Sequence, residues 1–150
     1  MDIDGLERWH FELTERACNE LLGLVLEGRK RATSSSLASY RLAGEDVPRE
    51  GELSVICDWE GNPRCVVRTT HVEVVPFRAV TLEMARREGE DDTLASWREN
   101  HERYFREEGK DAGYAFSDDM DVVFEDFEVV EVLGAQREGV IAPSDDRLGE

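Results

Sequence analysis

The stretch LVLEGRKRATSSS, residues 24–36, joins the end of an apolar helical pattern to a run of polar residues. Upstream, residues 13–27 carry apolar side chains at helical spacing, with Thr14 placed to cap the start and Gly28 to end the helix. Three basic residues follow directly: Arg29, Lys30 and Arg31. Because cations complement the dipole at a helix C-terminus, a structural role for Arg29 and Lys30 stands beside a functional one.

The composition limits what these basic residues can serve. The chain has 150 residues, 40% hydrophobic and 35% charged, and its formal net charge is −17. These values fit one soluble globular domain. An acidic surface repels polyanions, so broad nucleic-acid binding is not expected, although a local basic pocket still acts at short range. Among 18 basic residues the lysines are Lys30 and Lys110, which is consistent with a need for an amine at position 30.

Cysteine usage and hydropathy indicate the compartment. Cys18, Cys57 and Cys65 form no Cys-x-x-Cys pair and are odd in number, so we expect buried hydrophobic residues rather than disulfides or a zinc site. The apolar stretches are too short to span a membrane. The acidic N-terminus lacks the basic and apolar segments of a secretory signal. These features predict a cytoplasmic protein with no membrane partner.

The first half of the chain predicts a helix, a loop and a hairpin. Residues 34–50 are rich in serine, glycine and glutamate and are interpreted as a loop around Tyr40. The segments ELSVICDW and RCVVRTTHVEVVPF flank a turn at residues 60–63, which is typical of a β-hairpin. The second strand is long, and a bend or bulge near Pro76 is expected to keep its apolar side chains buried.

The second half predicts two helices and a closing strand. TLEMARR forms one helix ended by Gly89, and another begins near Asp92 or Thr93 and ends at Gly109. MDVVFEDFEVVEVL predicts a last strand or strand pair, and residues 136–150 a loose tail. The order indicates one α+β domain over residues 1–135, with a small, curved, mostly antiparallel sheet.

Most motifs that carry chemistry are missing. The triple serine lacks a G-x-S-x-G elbow, and GRKRATSSS lacks the second glycine of a phosphate-binding loop. His10, His71 and His101 form no metal-binding pattern, and His101 falls on an apolar helical stripe, where a hydrogen-bonded core histidine is typical. The acidic run after residue 117 lacks the spacing of an EF-hand. We therefore expect no metal and no cofactor.

One pair remains: Lys30 three residues before Thr33, with an acidic segment at residues 88–92. A lysine amine removes a hydroxyl proton only if its pKa falls from about 10.4 towards neutrality, through burial or a neighbouring cation. Arg29 and Arg31 are candidate neighbouring cations. A carboxylate opposite the pair would then carry the proton to a leaving amine.

The sequence resembles the ASCH domain family, which is related to the PUA-like RNA-binding superfold. LVLEGRKRATSSS resembles the family's G-x-K-x-x-T signature, and GELSVICDWEGNPRCVVRTTHVEVVPF its hairpin. AVTLEMARREGEDDTLASWRENHERYF resembles its EGEGD-x-SL-x-x-W-x-x-x-H-x-x-FF segment, and FSDDMDVVFEDFEVVEV its closing strands. The resemblance extends over residues 10–133. It implies a small β-barrel with helices outside it and a cleft edged by the signature loop.

The resemblance also implies a site. Relatives that hydrolyse N4-acetylcytidine use a lysine, a threonine and a glutamate, which match Lys30, Thr33 and Glu90. The threonine would attack the acyl carbon, the lysine would act as its base, and the glutamate would move protons. Glu88 is an alternative carboxylate, and Asp91 replaces the second glycine of the family pattern. The residues expected to contact substrate are Arg31, Ser34, Tyr40 and Trp97.

Three functions follow from the resemblance. One is an amidohydrolase acting on N4-acylated cytosine nucleosides through the Lys30, Thr33 and Glu90 triad. Another is a non-catalytic module that binds short RNA or a modified base, with Tyr40 or Trp97 stacking on the base. The last is a ribonuclease in which Lys30 deprotonates a ribose 2′-hydroxyl. The oligomeric state is not written in the sequence.

Overall fold

In the computed structural model a curled sheet packs against α-helices, and the structure describes residues 1–134. These residues form five strands, four α-helices and a 3₁₀ turn. In chain order they are β1 Glu7–Trp9, α1 Glu15–Leu26, β2 Ala32–Ser36, α2 Leu37–Ala43, β3 Leu53–Cys57, β4 Pro63–Pro76, the turn Phe77–Ala79, α3 Leu82–Glu88, α4 Leu94–Ala112 and β5 Asp121–Val132. The predicted α+β class is confirmed, and the predicted tail, residues 136–150, lies outside the described residues.

The sheet is an open half-barrel with strand order β1-β3-β4-β5-β2. The β1–β3 pair is parallel, and the other pairs within residues 1–134 are antiparallel, as predicted. The predicted hairpin is confirmed as β3 and β4. The long strand β4 changes register at Val66/Val67 and at Thr69/His71, where bulges increase the local twist. The expected bend near Pro76 is therefore wrong in position, and Val74 stays 45% exposed.

The interpretation of residues 34–50 as a loop is wrong for residues 34–43. The serines of β2 pair with Val122, Val123 and Phe124 of β5, so the hydrogen bonds of the partner strand outweigh the weak strand preference of serine. Ser36 then begins α2, because its hydroxyl accepts a hydrogen bond from the Ser39 amide. The polar composition of this segment indicates neither β2 nor α2.

The helices begin at the residues that the sequence indicates. Thr14 and Thr93 cap α1 and α4 by accepting hydrogen bonds from backbone amides in the first turn. The predicted end of α4 at Gly109 is wrong, since the helix continues to Ala112. A Cβ at Gly109 would lie 2.3 Å from the Tyr114 carbonyl oxygen, so this glycine serves the close packing of the returning chain.

Apolar side chains pack on both faces of the sheet. Trp97 and Phe105 of α4 are fully buried against Phe77 and Phe124, while α1 packs on Phe127 and its neighbours. The three cysteines are buried and unpaired, as expected: Cys18, Cys57 and Cys65. Among the described residues, no helix combines the length and hydropathy needed to cross a membrane.

The end of α3 crosses the end of α1 at very short range. Gly89 has a φ of +73°, and a Cβ on it would lie 2.4 Å from the Arg29 carbonyl oxygen. Beside this crossing the Arg31 amide donates a hydrogen bond to the Arg87 carbonyl at 2.9 Å. A side chain at position 89 therefore meets both a left-handed conformation and a backbone obstacle. The glycine brings the two motif-bearing segments together.

Replacing Gly89 by alanine is expected to destabilise the fold by more than about 2 kcal/mol, because strain and backbone overlap act together. Gly28→Ala is the matched control, since its φ is +83° but open space surrounds the site of the added Cβ. It should cost about 1 kcal/mol. Urea unfolding of both variants measures the difference, and equal losses would show that the close approach does not matter.

Candidate functional site

The Lys30 ammonium lies at the centre of a buried polar cluster. Its Nζ donates hydrogen bonds to the Ala32 carbonyl at 2.9 Å and to Glu90 Oε2 at 2.5 Å. The Glu88 carbonyl and Glu88 Oε1 are further acceptors, at 3.4 and 3.3 Å. The Lys30 side chain is only 1% exposed. Because an isolated buried ammonium is strongly unfavourable, these carboxylates are a condition for burying it.

The Glu88 carboxylate receives hydrogen-bond donors from several segments. Its Oε2 accepts from Ser34 Oγ at 2.5 Å and from Trp97 Nε1 at 2.8 Å. Its Oε1 lies 3.3 Å from both Lys30 Nζ and His101 Nε2. The donors belong to β2, to α4 and to the segment after α1. This buried carboxylate, on the last residue of α3, therefore has a complete set of partners.

The hydrogen bonds of His101 indicate its charge. Nδ1 lies 2.9 Å from the Trp97 carbonyl, which only accepts, and Nε2 faces the Glu88 carboxylate. Both ring nitrogens therefore donate, which describes an imidazolium. Burial lowers the pKa of His101, but the Glu88 carboxylate outweighs it and raises that pKa above the ordinary value. Burial alone would raise the pKa of Glu88, yet His101 and Lys30 hold it below its usual range.

The Lys30 and Glu90 pair bears directly on the predicted chemistry. Burial lowers the pKa of Lys30, but Glu90 and Glu88 outweigh it and raise that pKa above its ordinary value. Burial raises the pKa of Glu90 despite the attraction of Lys30. The resting lysine is therefore an ammonium, opposite to the lowered pKa that a base requires, and Glu90 is the carboxylate with the greater tendency to accept a proton.

The predicted catalytic residues meet at one small cavity. It has a volume of about 90 Å³, and Lys30, Thr33 and Glu90 all line it, together with Glu88. Lys30 and Glu90 are in direct contact, whereas Thr33 shares the wall without a hydrogen bond to Lys30 Nζ. Ser34, predicted to contact substrate, lines the cavity and donates its hydroxyl proton to Glu88.

The other predicted substrate contacts lie elsewhere. Trp97 has no exposed surface, so its ring is not available to stack on a base. Its indole instead stacks on His101 at a centroid distance of 4.1 Å and holds Glu88 through Nε1. Arg31 is exposed and lines an outer groove with Arg29 and Arg86, not the Lys30 cavity.

Tyr40 lines a second cavity, of about 220 Å³, inside the half-barrel. Trp9, Thr33 and Ser35 line both cavities, so the two adjoin. Burial raises the pKa of Tyr40 to about 12, which keeps the phenol neutral. The sequence did not indicate Trp9 or Glu125 as lining residues. The signal for Glu125 was its alternation within β5, which places it directly opposite Thr33.

Asp91, the departure from the family pattern, ties the Glu90 loop to α4. Its Oδ1 accepts hydrogen bonds from Ser96 Oγ at 2.6 Å and from Asn100 Nδ2 at 2.8 Å. A glycine has no such contacts. The aspartate therefore fixes the residue next to Glu90 by its side chain.

The cluster also contains a set of metal-ligand types. One ligand atom each from Glu88, Glu90 and His101 lies within 4.8 Å of the others. The Lys30 ammonium, however, contacts both carboxylates, and the imidazole already directs both nitrogens to oxygen acceptors. Internal cations therefore balance these carboxylates, and the expectation that the protein uses no metal or cofactor stays a prediction.

Glu88→Gln is expected to lower the pKa of His101, because it removes the carboxylate that raises it. In the wild type the raised pKa of His101 stabilises the fold. This stabilisation is fully present below pH 6.5 and is lost as the pH rises through the pKa of His101 in the folded state. NMR titration of the imidazole protons measures this, with the exposed His71 as a reference signal in each protein. An unchanged His101 titration in the folded variant would refute the assigned pairing.

Comparisons with known proteins agree on one family. A family model described as ASCH domain matches residues 7–131. A crystal structure of a protein from Enterococcus faecalis V583, assigned to the family DUF984, is 36% identical, covers 93% of this chain and 85% of its own, and superposes with a TM-score of 0.85. The crystal structure of an ASCH domain from Lactobacillus crispatus JV V101 is 35% identical.

The Lactobacillus match covers 84% of this chain and 80% of that chain, with a TM-score of 0.78. A comparison with curated proteins found no match. The curled sheet with flanking helices is the PUA-like arrangement that the resemblance implied. Because the family model spans most of the sequence and both structures cover more than four fifths of it, this chain belongs to the ASCH domain family.

Proposed function

We propose that this protein is an amidohydrolase acting on N4-acylated cytosine nucleosides, with Thr33 as nucleophile, Lys30 as base and Glu90 as proton carrier. One observation carries the proposal: these residues line one cavity, in which Lys30 Nζ and Glu90 Oε2 lie 2.5 Å apart. Membership of the ASCH family supports the choice of positions. Glu88 serves the site differently, since its four donors hold it as an ionised anchor for Lys30.

The first step is a proton transfer within the buried pair. Lys30 gives a proton to Glu90 across their short hydrogen bond, which leaves a neutral amine and a carboxylic acid. Burial of Glu90 favours this acid, and no net charge is created in the cavity. The raised pKa of Lys30 makes the transfer uphill, so its cost forms part of the activation barrier.

Acyl transfer then uses both groups. The Thr33 oxygen bonds to the acyl carbon while its proton passes to the Lys30 amine. The bond between the acyl carbon and N4 breaks, and Glu90 gives its proton to N4. The unacylated nucleoside departs, and Thr33 remains acylated. After a second transfer from Lys30 to Glu90, water attacks the acyl carbon and gives its proton to Lys30. The bond between the acyl carbon and the Thr33 oxygen breaks, Glu90 protonates that oxygen, and the carboxylic acid is released, which restores the resting pair.

The reaction is tested by chromatography of N4-acetylcytidine incubated with purified protein. The wild type is expected to release cytidine, and Lys30→Met to lower kcat by about 100-fold or more, because the base is lost. Lys110→Met is the matched control, since it removes the exposed lysine on α4. No release by the folded wild type would refute the proposal.

Lys30→Met leaves two carboxylates without their cation, so it needs a milder companion. Thr33→Val keeps the side-chain shape and removes the hydroxyl, and it should also abolish turnover. Thr70→Val, at an exposed position of β4, should not. Circular dichroism establishes that each variant folds, and a fully active folded Thr33→Val would exclude Thr33 as the nucleophile.

A second candidate is binding of short RNA, which the outer groove favours. Arg29, Arg31 and Arg86 line this groove with Asp91 and Asp92, and these arginines form no ion pair within the described part of the chain. Such guanidinium groups suit phosphate oxygens.

Filter binding of a short RNA at two salt concentrations tests this candidate. If the groove binds phosphate, affinity should fall steeply with salt, and Arg29→Gln with Arg31→Gln should flatten that slope. Arg16→Gln with Arg106→Gln, two exposed positions elsewhere, should leave it unchanged. Weak binding without salt dependence would exclude the candidate.

A further inference from the structure

We infer that the cavity inside the half-barrel holds the nucleoside part of the substrate, and that its glutamates restrict the site to nucleosides without a 5′-phosphate. The inference rests on the proposed function, because it gives the remainder of the same substrate a place beside the Lys30 cavity.

The position of the cavity follows from the curl of the sheet. Each of the five strands contributes to its lining, from Trp9 on β1 to Thr33 on β2, and Tyr40 of α2 closes one side. Ligand sites are frequent in the mouths of such barrels. This cavity, of about 220 Å³, adjoins the Lys30 cavity, of about 90 Å³. Taken together they reach the lower end of the roughly 300–1,000 Å³ typical of small-molecule sites, so a nucleoside is the largest ligand they suit.

The two cavities share the residue that would attack the substrate. Thr33, Trp9 and Ser35 line both, so a ligand held in the half-barrel presents one end to the nucleophile. The acyl group would then lie at Lys30 and Glu90, and the rest of the nucleoside would extend across the concave face of the sheet. The indole of Trp9 and the phenol of Tyr40 supply apolar surface for a base or sugar ring.

The charge of the lining is one-sided. Four glutamates line the half-barrel cavity: Glu7, Glu45, Glu52 and Glu125. No lysine, arginine or histidine in the described part of the chain is among its lining residues. Burial, together with repulsion from Glu52, raises the pKa of both Glu7 and Glu125. The repulsion between these carboxylates is therefore felt within the cavity itself.

This lining suits hydroxyl groups and opposes phosphate. Carboxylates accept hydrogen bonds, and ribose hydroxyls donate them, so the sugar of a nucleoside satisfies the wall. A 5′-phosphate carries about 1.5 to 2 negative charges at pH 7 and has no proton to offer most of these acceptors. Its charge would meet the buried carboxylate of Glu125, which salt screens weakly, and the exposed carboxylates of Glu7, Glu45 and Glu52.

The experiment compares kcat/KM for N4-acetylcytidine and for N4-acetylcytidine 5′-monophosphate. The nucleoside is expected to be preferred by about 100-fold or more. In Glu45→Gln with Glu52→Gln this ratio should fall at least tenfold. Glu60→Gln with Glu83→Gln, two exposed positions, changes the net charge equally and should leave the ratio unchanged. Equal use of both compounds, or equal ratios in the two double variants, would overturn the inference.

Failure of the proposed reaction is separated from failure of this inference by a binding measurement. The Trp9 indole donates to Ser54 Oγ at the cavity wall, so its ¹⁵N-bound proton reports on occupancy. Cytidine should shift this NMR signal, and cytidine 5′-monophosphate should shift it only at concentrations about 100-fold higher. If neither N4-acetylcytidine nor its 5′-monophosphate is hydrolysed, this contrast between cytidine and cytidine 5′-monophosphate still supports the cavity assignment. No shift with cytidine, or equal shifts with both, would refute it.

Discussion

The burial of the Glu88 carboxylate is the constraint on which the rest of the structure depends. A carboxylate removed from water costs several kcal/mol unless it is fully hydrogen-bonded, and here its donors come from β2, from α4 and from the segment after α1. Movement of any of these segments would remove at least one hydrogen bond from the buried carboxylate. The same carboxylate makes it possible to bury Lys30. It also accepts a hydrogen bond from Trp97, which belongs to the aromatic core.

How much of the fold could be predicted from the sequence depends on whether an element is set by neighbouring residues or by distant ones. Local signals sufficed for α1, where Thr14 and Gly28 mark the ends, for α3, which ends before Gly89, and for the hairpin of β3 and β4. The three residues of β1 and the serines of β2 have too weak a strand preference to be predicted locally. They form strands because they pair with the distant strands β3 and β5. Propensity is weak wherever a partner strand supplies the hydrogen bonds.

The site shows the same division. Lys30, Thr33 and Glu90 were predicted because they match motifs of the family, and they line one cavity, while Glu88 was left as an alternative. The partnership of Glu88 with Lys30 joins residues 58 positions apart, a separation that has no periodic signature. His101 and Trp97 lie four residues apart on the apolar stripe of α4, which favoured a core position for His101, whereas Trp97 was expected to contact substrate. Both belong to the core and also donate to Glu88, which only the folded geometry reveals.

The shortest strand of the sheet has a consequence for how the protein is handled. β1 is three residues long, lies at an edge of the sheet and, within residues 1–134, pairs with β3 alone, yet Glu7 and Trp9 form part of the cavity wall. Edge segments of this kind open at low free energy. Removal of the first ten residues, or an extension that disturbs the pairing of β1 with β3, would therefore change the cavity wall itself.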